Sequence, residues 1–301
     1  MLIVTVLQEY LRTQNTKPST KGEYQRFMDK HIVPYFGTAE CGALSADAVE
    51  GFAGHLLNEG LTAAKVKSVV GFMKKGLRGW YQRDIFSLDI KKGQPKGMAA
   101  LSLQDQKKLE AQARSSDPST KVCVFLCLYT GIKIGELCGL MWQDICLETK
   151  LINISRMVQR VRNEENDPQA KTKVLLMELT GRARRNIPVA DFLADMLQEY
   201  RDTHTGEYVI SNNAHPAEPR VVQYRFKRLL DKAGLAPTNF NALRHTFAIR
   251  AIENDFGINA LSEILGHSSP VVTFTRYADS YEKTDLKRYY MARFADRLAG
   301  F

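Results

Sequence analysis

Between Asn239 and Ala278 the chain reads NFNALRHTFAIRAIENDFGINALSEILGHSSPVVTFTRYA, which places Arg244, His267 and Tyr277 at helix ends and turns. A guanidinium holds phosphate oxygens through a planar fork of donors. An imidazole can add a further hydrogen bond, and a phenol is an oxygen nucleophile. These three groups in one short segment suit phosphoryl transfer onto a side chain. No acidic cluster with metal-ligand spacing accompanies them, so neither a metal nor a cofactor is expected.

Three successive helices must deliver these groups. Asn241 and Arg244 stand three residues apart and should share a helix face. Leu243, Phe247, Ala251 and Ile252 offer the opposite, buried face. A second helix through Ile258, Leu261, Ile264 and Leu265 should stop at Gly266, suited to a left-handed cap, with His267 in the turn. Ser269 reads as an N-cap before Pro270 at the first position of a third helix. Tyr277 then falls about two turns along it.

The motifs LRHTFA and LGHSS, followed by a tyrosine ten residues after the histidine, resemble the carboxyl-terminal signature of the tyrosine recombinases, or phage integrases. The resemblance implies that Tyr277 attacks a DNA phosphodiester and forms a 3′-phosphotyrosine link, later resolved by a second DNA hydroxyl without ATP. It implies that Arg244 holds the non-bridging oxygens and that His267 donates to the phosphate. KVCVFLCLYTGIKIGELCGL is similar to the family's first catalytic box, with Lys133 where the family has arginine. Asn241 stands where the family has histidine. The family's hairpin lysine has no obvious counterpart in ELTGRARRNIP, and Lys171 is one candidate upstream. One lost preorganised donor lowers a rate by about 10² to 10³. Two outcomes therefore stay open: a site-specific recombinase that integrates or excises a mobile element, attenuated by these departures, or an impaired homologue that binds its site and regulates there. A type IB topoisomerase shares the chemistry but fits the boxes less well.

Upstream, residues 1 to about 90 read as helical. Ser19 or Thr20 is positioned to cap a helix through Tyr24, Phe27 and Met28, which Pro34 and Gly37 should end. Ser45 and Thr62 are positioned to cap two more. The last carries Lys65, Lys67, Lys74 and Lys75; such a run is either a solvated face or a set of phosphate contacts. The order resembles the family's core-binding domain. Lys, Gly and Pro around 93–100 read as a linker. The expected domains are therefore a DNA-binding helical bundle at 1–92, a linker at 93–100, and a catalytic domain at 101–301. Within the last, a helix should stop at Gly131. LINISRMVQRV, TKVLLMEL and RRNIPV have a strand's period of two, EYVIS is a short strand or extended piece, and a basic helix carries Arg225 and Arg228. Leu286, Tyr289, Tyr290, Phe294 and Leu298 form an apolar stripe on a final helix. The fold expected is mainly α (α+β): a helical bundle, then a mostly helical domain with a small antiparallel sheet.

A net charge of +9 and a pI near 9.2 favour a polyanionic partner, nucleic acid before membrane, although simple solubility explains them too. The five cysteines, Cys41, Cys123, Cys127, Cys138 and Cys146, form neither a metal pattern nor a disulfide framework. MLIVTVLQEYL is too short and too soon polar for a signal peptide or a span. The reading is a cytoplasmic, nucleoid-associated protein. The resemblance implies double-stranded DNA as partner, with a dimer on each site and a tetramer in synapsis.

Overall fold

The computed structural model describes residues 1–90, 100–163, 172–211 and 213–283. Lys171 and the apolar stripe from Leu286 onward lie outside them, as does all of the expected linker but Ala100. The chain divides into two compact units, Met1–Gly97 with Arg160–Lys173, and Met98–Gln159 with Val174–Phe301.

In the first unit, α1 (Ile3–Thr13) buries Ile3, Leu7 and Leu11, four residues apart and so along one stripe. Helix α2 (Pro18–Phe27) starts ahead of the expected cap, with Lys17 as N-cap and Pro18 at a position where its missing N–H loses nothing. Pro34 does not end this helical run. A π-helical turn, Met28–Ile32, widens the backbone just before it, and α3 (Val33–Phe36) continues to Gly37 at φ +45°. The wider turn relieves the clash that a proline ring makes with a preceding carbonyl. Helices α4 (Ala46–Asn58) and α5 (Ala63–Leu77) begin as expected, Ser45 accepting from Ala48 N–H at 3.2 Å and Thr62 from Lys65 N–H at 3.3 Å. Their Val49, Phe52, Leu56, Val66, Val70 and Met73 close the core over Phe27 and Leu7.

The second unit is built around α7 (Pro118–Thr130). This helix is apolar on every side and therefore buried, with α6 (Leu103–Arg114), α9 (Asp191–Asp202), α10 (Pro219–Lys232) and α11 (Asn241–Glu253) around it. After the short α8 (Ile134–Cys138) come β1 (Ile145–Cys146), β2 (Leu151–Ile154) and β5 (Arg185–Pro188), an antiparallel sheet with Ile152 opposite Ile187. LINISRMVQRV is not one strand. It divides at Ser155 into β2 and β3 (Arg156–Arg162), and β3 pairs separately with β4 (Thr172–Glu178). EYVIS is a run of bends rather than a strand and touches Met141 through a single bridge at Tyr208. Helices α12 (Ile258–Leu265) and α13 (Pro270–Lys283) complete the unit. The fold is mainly α with a small antiparallel sheet. Among the described residues no helix is long and apolar enough to cross a membrane.

Candidate active site

Two helix ends meet at Arg244. Helix α7 stops at Gly131 in the left-handed conformation, φ +64°. A Cβ there would lie 2.5 Å from Phe247 on α11, so only glycine allows this approach. Helix α12 likewise ends at left-handed Gly266. Arg244 on α11 is buried and donates from Nη1 to Gly131 O at 2.5 Å and from Nη2 to Leu265 O at 2.6 Å. A cation at the carbonyl ends of two helices is favourably placed. Burial lowers its pKa to about 10, which still leaves the guanidinium charged at neutral pH.

His267 follows Gly266 and is buried beside Arg244, its Nε2 3.2 Å from Nη2. A guanidinium has no acceptor, so Nε2 must accept. Nδ1–H then donates to Thr273 Oγ1 at 2.8 Å. Burial foremost, then Arg244, Arg276, Lys133 and Arg185, lowers the imidazole pKa to about 4. His267 is thus neutral, and its Nε2 serves Arg244. Donating to a phosphate from Nε2 requires that this bond be given up and that the ring proton move from Nδ1 to Nε2.

Tyr277 interrupts α13 with non-helical angles, φ −117° and ψ 21°, and is 1% exposed. Its Oη lies 3.0 Å from His245 Nδ1, the two rings meeting edge to face. Burial raises the phenol's pKa, and the charges of Arg244 and Arg276 oppose that rise.

Lys133 is the N-cap residue of α8. Its N–H donates to Glu136 Oε2 at 3.0 Å, and Nζ stands 3.4 Å from Oε1. Buried Glu136 is also gripped by both Nη atoms of Arg185, at 3.1 and 2.9 Å. Arg185 Nε donates to Ile264 O at 2.5 Å, which fastens β5 to α12. Burial first, with Arg244 and Arg185 adding to it, lowers the Lys133 pKa, while Glu136 opposes. Asn241 opens α11 at the surface. It and Arg244 do not act as one exposed face: Arg244 turns inward with Leu243 because its charge is met by the helix-end carbonyls. The cluster therefore gathers Arg244, Lys133 and Arg185 around one buried carboxylate, and the charge of Arg276 is felt at His267 and Tyr277, an environment for an anion.

Four residues of this arrangement were not singled out for chemistry from sequence: His245, Glu136, Arg185 and Thr273. His245 had a signal, standing inside LRHTFA beside Arg244. Thr273 had none, being one polar residue in a short helix.

The α5 lysines all have partners. Lys65 pairs with Glu23 at 2.8 Å and lies over the Phe27 ring, Lys67 donates to Ile90 O at 3.0 Å, Lys74 pairs with Asp84, and Lys75 donates to Tyr24 Oη at 3.0 Å. Arg225 reaches Ser119 Oγ at 3.4 Å, while Arg228 is exposed on α10. A pocket of about 330 Å³ lies by Arg225, between Asp117, Tyr200, His215 and Glu218, away from the Arg244 cluster.

The profile of the phage integrase family matches residues 101–284, more than half of the chain. The chain belongs to this family. It is 28% identical over 174 residues to a tyrosine recombinase XerC-like protein of Caldanaerobacter subterraneus, covering 52% of this chain but only 44% of that protein. Tyrosine recombinase XerA of Thermococcus onnurineus is 25% identical over 282 residues, covering 89% of this chain and 87% of that one. The Tn1549 transposon integrase, solved with circular intermediate DNA, superposes with a TM-score of 0.83 at 20% identity, over 98% of this chain and all of that one. At that identity the likeness establishes the integrase fold. Lambda integrase, solved as a dimer on a core site, gives 0.66 at 19% identity over 90% of this chain and 97% of that one.

Proposed function

We propose that this integrase is a site-specific DNA recombinase that cuts one strand with Tyr277 and integrates or excises a mobile element. One observation carries the reading. Arg244 in the first turn of α11, His267 in the turn after α12 and Tyr277 at the break within α13 come from three separate elements, and the fold gathers them into one cationic cluster. In the proposed step the Tyr277 oxygen attacks phosphorus while Arg244 holds the non-bridging oxygens, and His267 donates to one of them once Nε2 has released Arg244 and taken the ring proton from Nδ1. The Lys133 ammonium, made more acidic by its surroundings, gives its proton to the leaving 5′ oxygen. Lysine thereby replaces a bidentate clamp with a proton donor, and Lys171 remains a second candidate for that donor. Exposed Arg228, with Arg225 and the α5 lysines, supplies contacts to the duplex backbone. The solved lambda integrase dimer and Holliday-junction tetramer support assembly of copies on DNA.

A specific observation favours a second reading, a DNA-binding homologue that no longer cuts. Tyr277 is buried, and three donors of Arg244 are already engaged, two by backbone carbonyls and one by His267. Cleavage then requires the interrupted α13 to shift when DNA binds.

A duplex selected by binding from a random-sequence pool and nicked to trap the intermediate separates the two. The recombinase reading expects a covalent protein–DNA adduct with the wild-type chain and none with Tyr277→Phe, binding being equal. Tight binding without any wild-type adduct establishes the second reading instead.

A further inference from the structure

Asn241 cannot take a proton, and His267 has both ring nitrogens committed, to Arg244 and to Thr273. Yet a phenol attacking phosphorus must lose its proton. Among the described residues the base on the Tyr277 oxygen is His245, with Nδ1 3.0 Å from Oη. We propose that His245 is the catalytic residue that takes the phenolic proton of Tyr277 during strand cleavage, an inference that rests on the recombinase reading above.

The placement is rigid, since His245 sits inside α11 next to Arg244, whose two carbonyl bonds anchor that turn. Nε2 has no partner among the described residues, so the Nε2–H tautomer leaves the Nδ1 lone pair facing the phenol. The charged groups facing the ring are Arg244 from α11 and Arg276 from α13. Burial first, then these two cations, lowers the imidazole pKa below its ordinary 6.5. His245 is therefore neutral and able to accept at neutral pH. As it accepts, the Tyr277 O–H bond breaks and the proton moves to Nδ1, while the oxygen pair forms the bond to phosphorus. The P–O5′ bond breaks with its electron pair on the 5′ oxygen, which takes a proton from the Lys133 ammonium. His245 stands one turn beyond Asn241 on the same helix and supplies the proton acceptor that Asn241 cannot.

The test uses the full chain and the selected nicked duplex, in two forms. One has the ordinary phosphodiester. The other has sulfur at the bridging 5′ position, which departs without a proton. Adduct formation is followed in single turnover between about pH 5 and 10, with DNA affinity as the check on folding. His245→Gln and His245→Asn are expected to bind normally and to cleave at least about 10²-fold more slowly on both substrates, their rates climbing with pH where the wild type is level. Lys133→Ala is expected to be slow on the ordinary substrate and restored on the sulfur one. The proposal is overturned if His245→Gln keeps the wild-type rate and pH profile, or if the sulfur substrate restores it. Absence of adduct from the wild-type chain on both substrates overturns the recombinase reading itself, and His245's role with it.

Discussion

Arg244→Met is expected to slow strand cleavage by more than about 10²- to 10³-fold, the effect of removing a single oxyanion donor, and to destabilise the second unit in the same stroke. The guanidinium closes the carbonyl ends of α7 and α12 with bonds of 2.5 and 2.6 Å, and it fixes His267 as an acceptor at 3.2 Å. Methionine fills the space but leaves Gly131 O and Leu265 O without that donor, and a buried unsatisfied polar group costs about 1–3 kcal/mol. Arg244→Lys separates the two effects. A lysine keeps the charge but, as a point donor, cannot span both carbonyls and the phosphate, so it should recover part of the stability and little of the cleavage. The measurements are the urea midpoint and the single-turnover rate of adduct formation. An unchanged midpoint for Arg244→Met would show that the two carbonyl bonds contribute nothing to holding the helix ends together.

The second large effect is expected at Glu136. Its carboxylate and the Arg185 guanidinium are 1% and 6% exposed and joined by two hydrogen bonds. Glu136→Ala leaves Arg185 charged, buried and unpaired, a loss of about 3–5 kcal/mol. Replacing both partners, with Glu136→Leu and Arg185→Met, should recover most of it, because the uncompensated charge disappears with the pair. Burial alone would raise the Glu136 pKa. The Arg185 hydrogen bonds and charge, with Lys133, outweigh it and hold the group below 4.5. The unfolded chain therefore binds this proton more readily than the folded one. The pair's stabilisation is complete above pH 4.5 and fades as the pH falls through the lower folded value. Denaturation at neutral and acid pH should show the wild type losing stability in that window and Glu136→Ala losing less there. Equal acid sensitivity of the two would move the titrating group elsewhere.

Local signals were enough wherever one residue's backbone chemistry decides an outcome. Ser45 and Thr62 cap their helices, since each needs only its own side chain and the next turn. Gly131 and Gly266 end theirs because a left-handed residue is cheapest as glycine. The same locality misled at Pro34, where a π turn absorbed the proline, and at Ser155, where one alternating run serves two different sheets. Strand pairing depends on partners distant in sequence, which a period of two does not name.

The catalytic candidates divide in the same way. The residue types and spacing of Arg244, His267 and Tyr277 were legible from sequence, and so was the family. Their protonation and bonding were not, because these depend on what surrounds each group once water is gone. Arg244 turned inward because two helix ends, far apart in the chain, present carbonyls at one point. His267 became an acceptor because that guanidinium lies against it, and it stays neutral because it is buried among cations. His245, which sequence alone leaves as the neighbour of a more notable arginine, meets the Tyr277 oxygen only because α13 packs against α11. Sequence by itself determined which groups are present and on which helices they ride. Tertiary structure decided which of them touch, which way each hydrogen bond runs and which are charged, since desolvation and distance act across elements that the sequence keeps 20 or more residues apart.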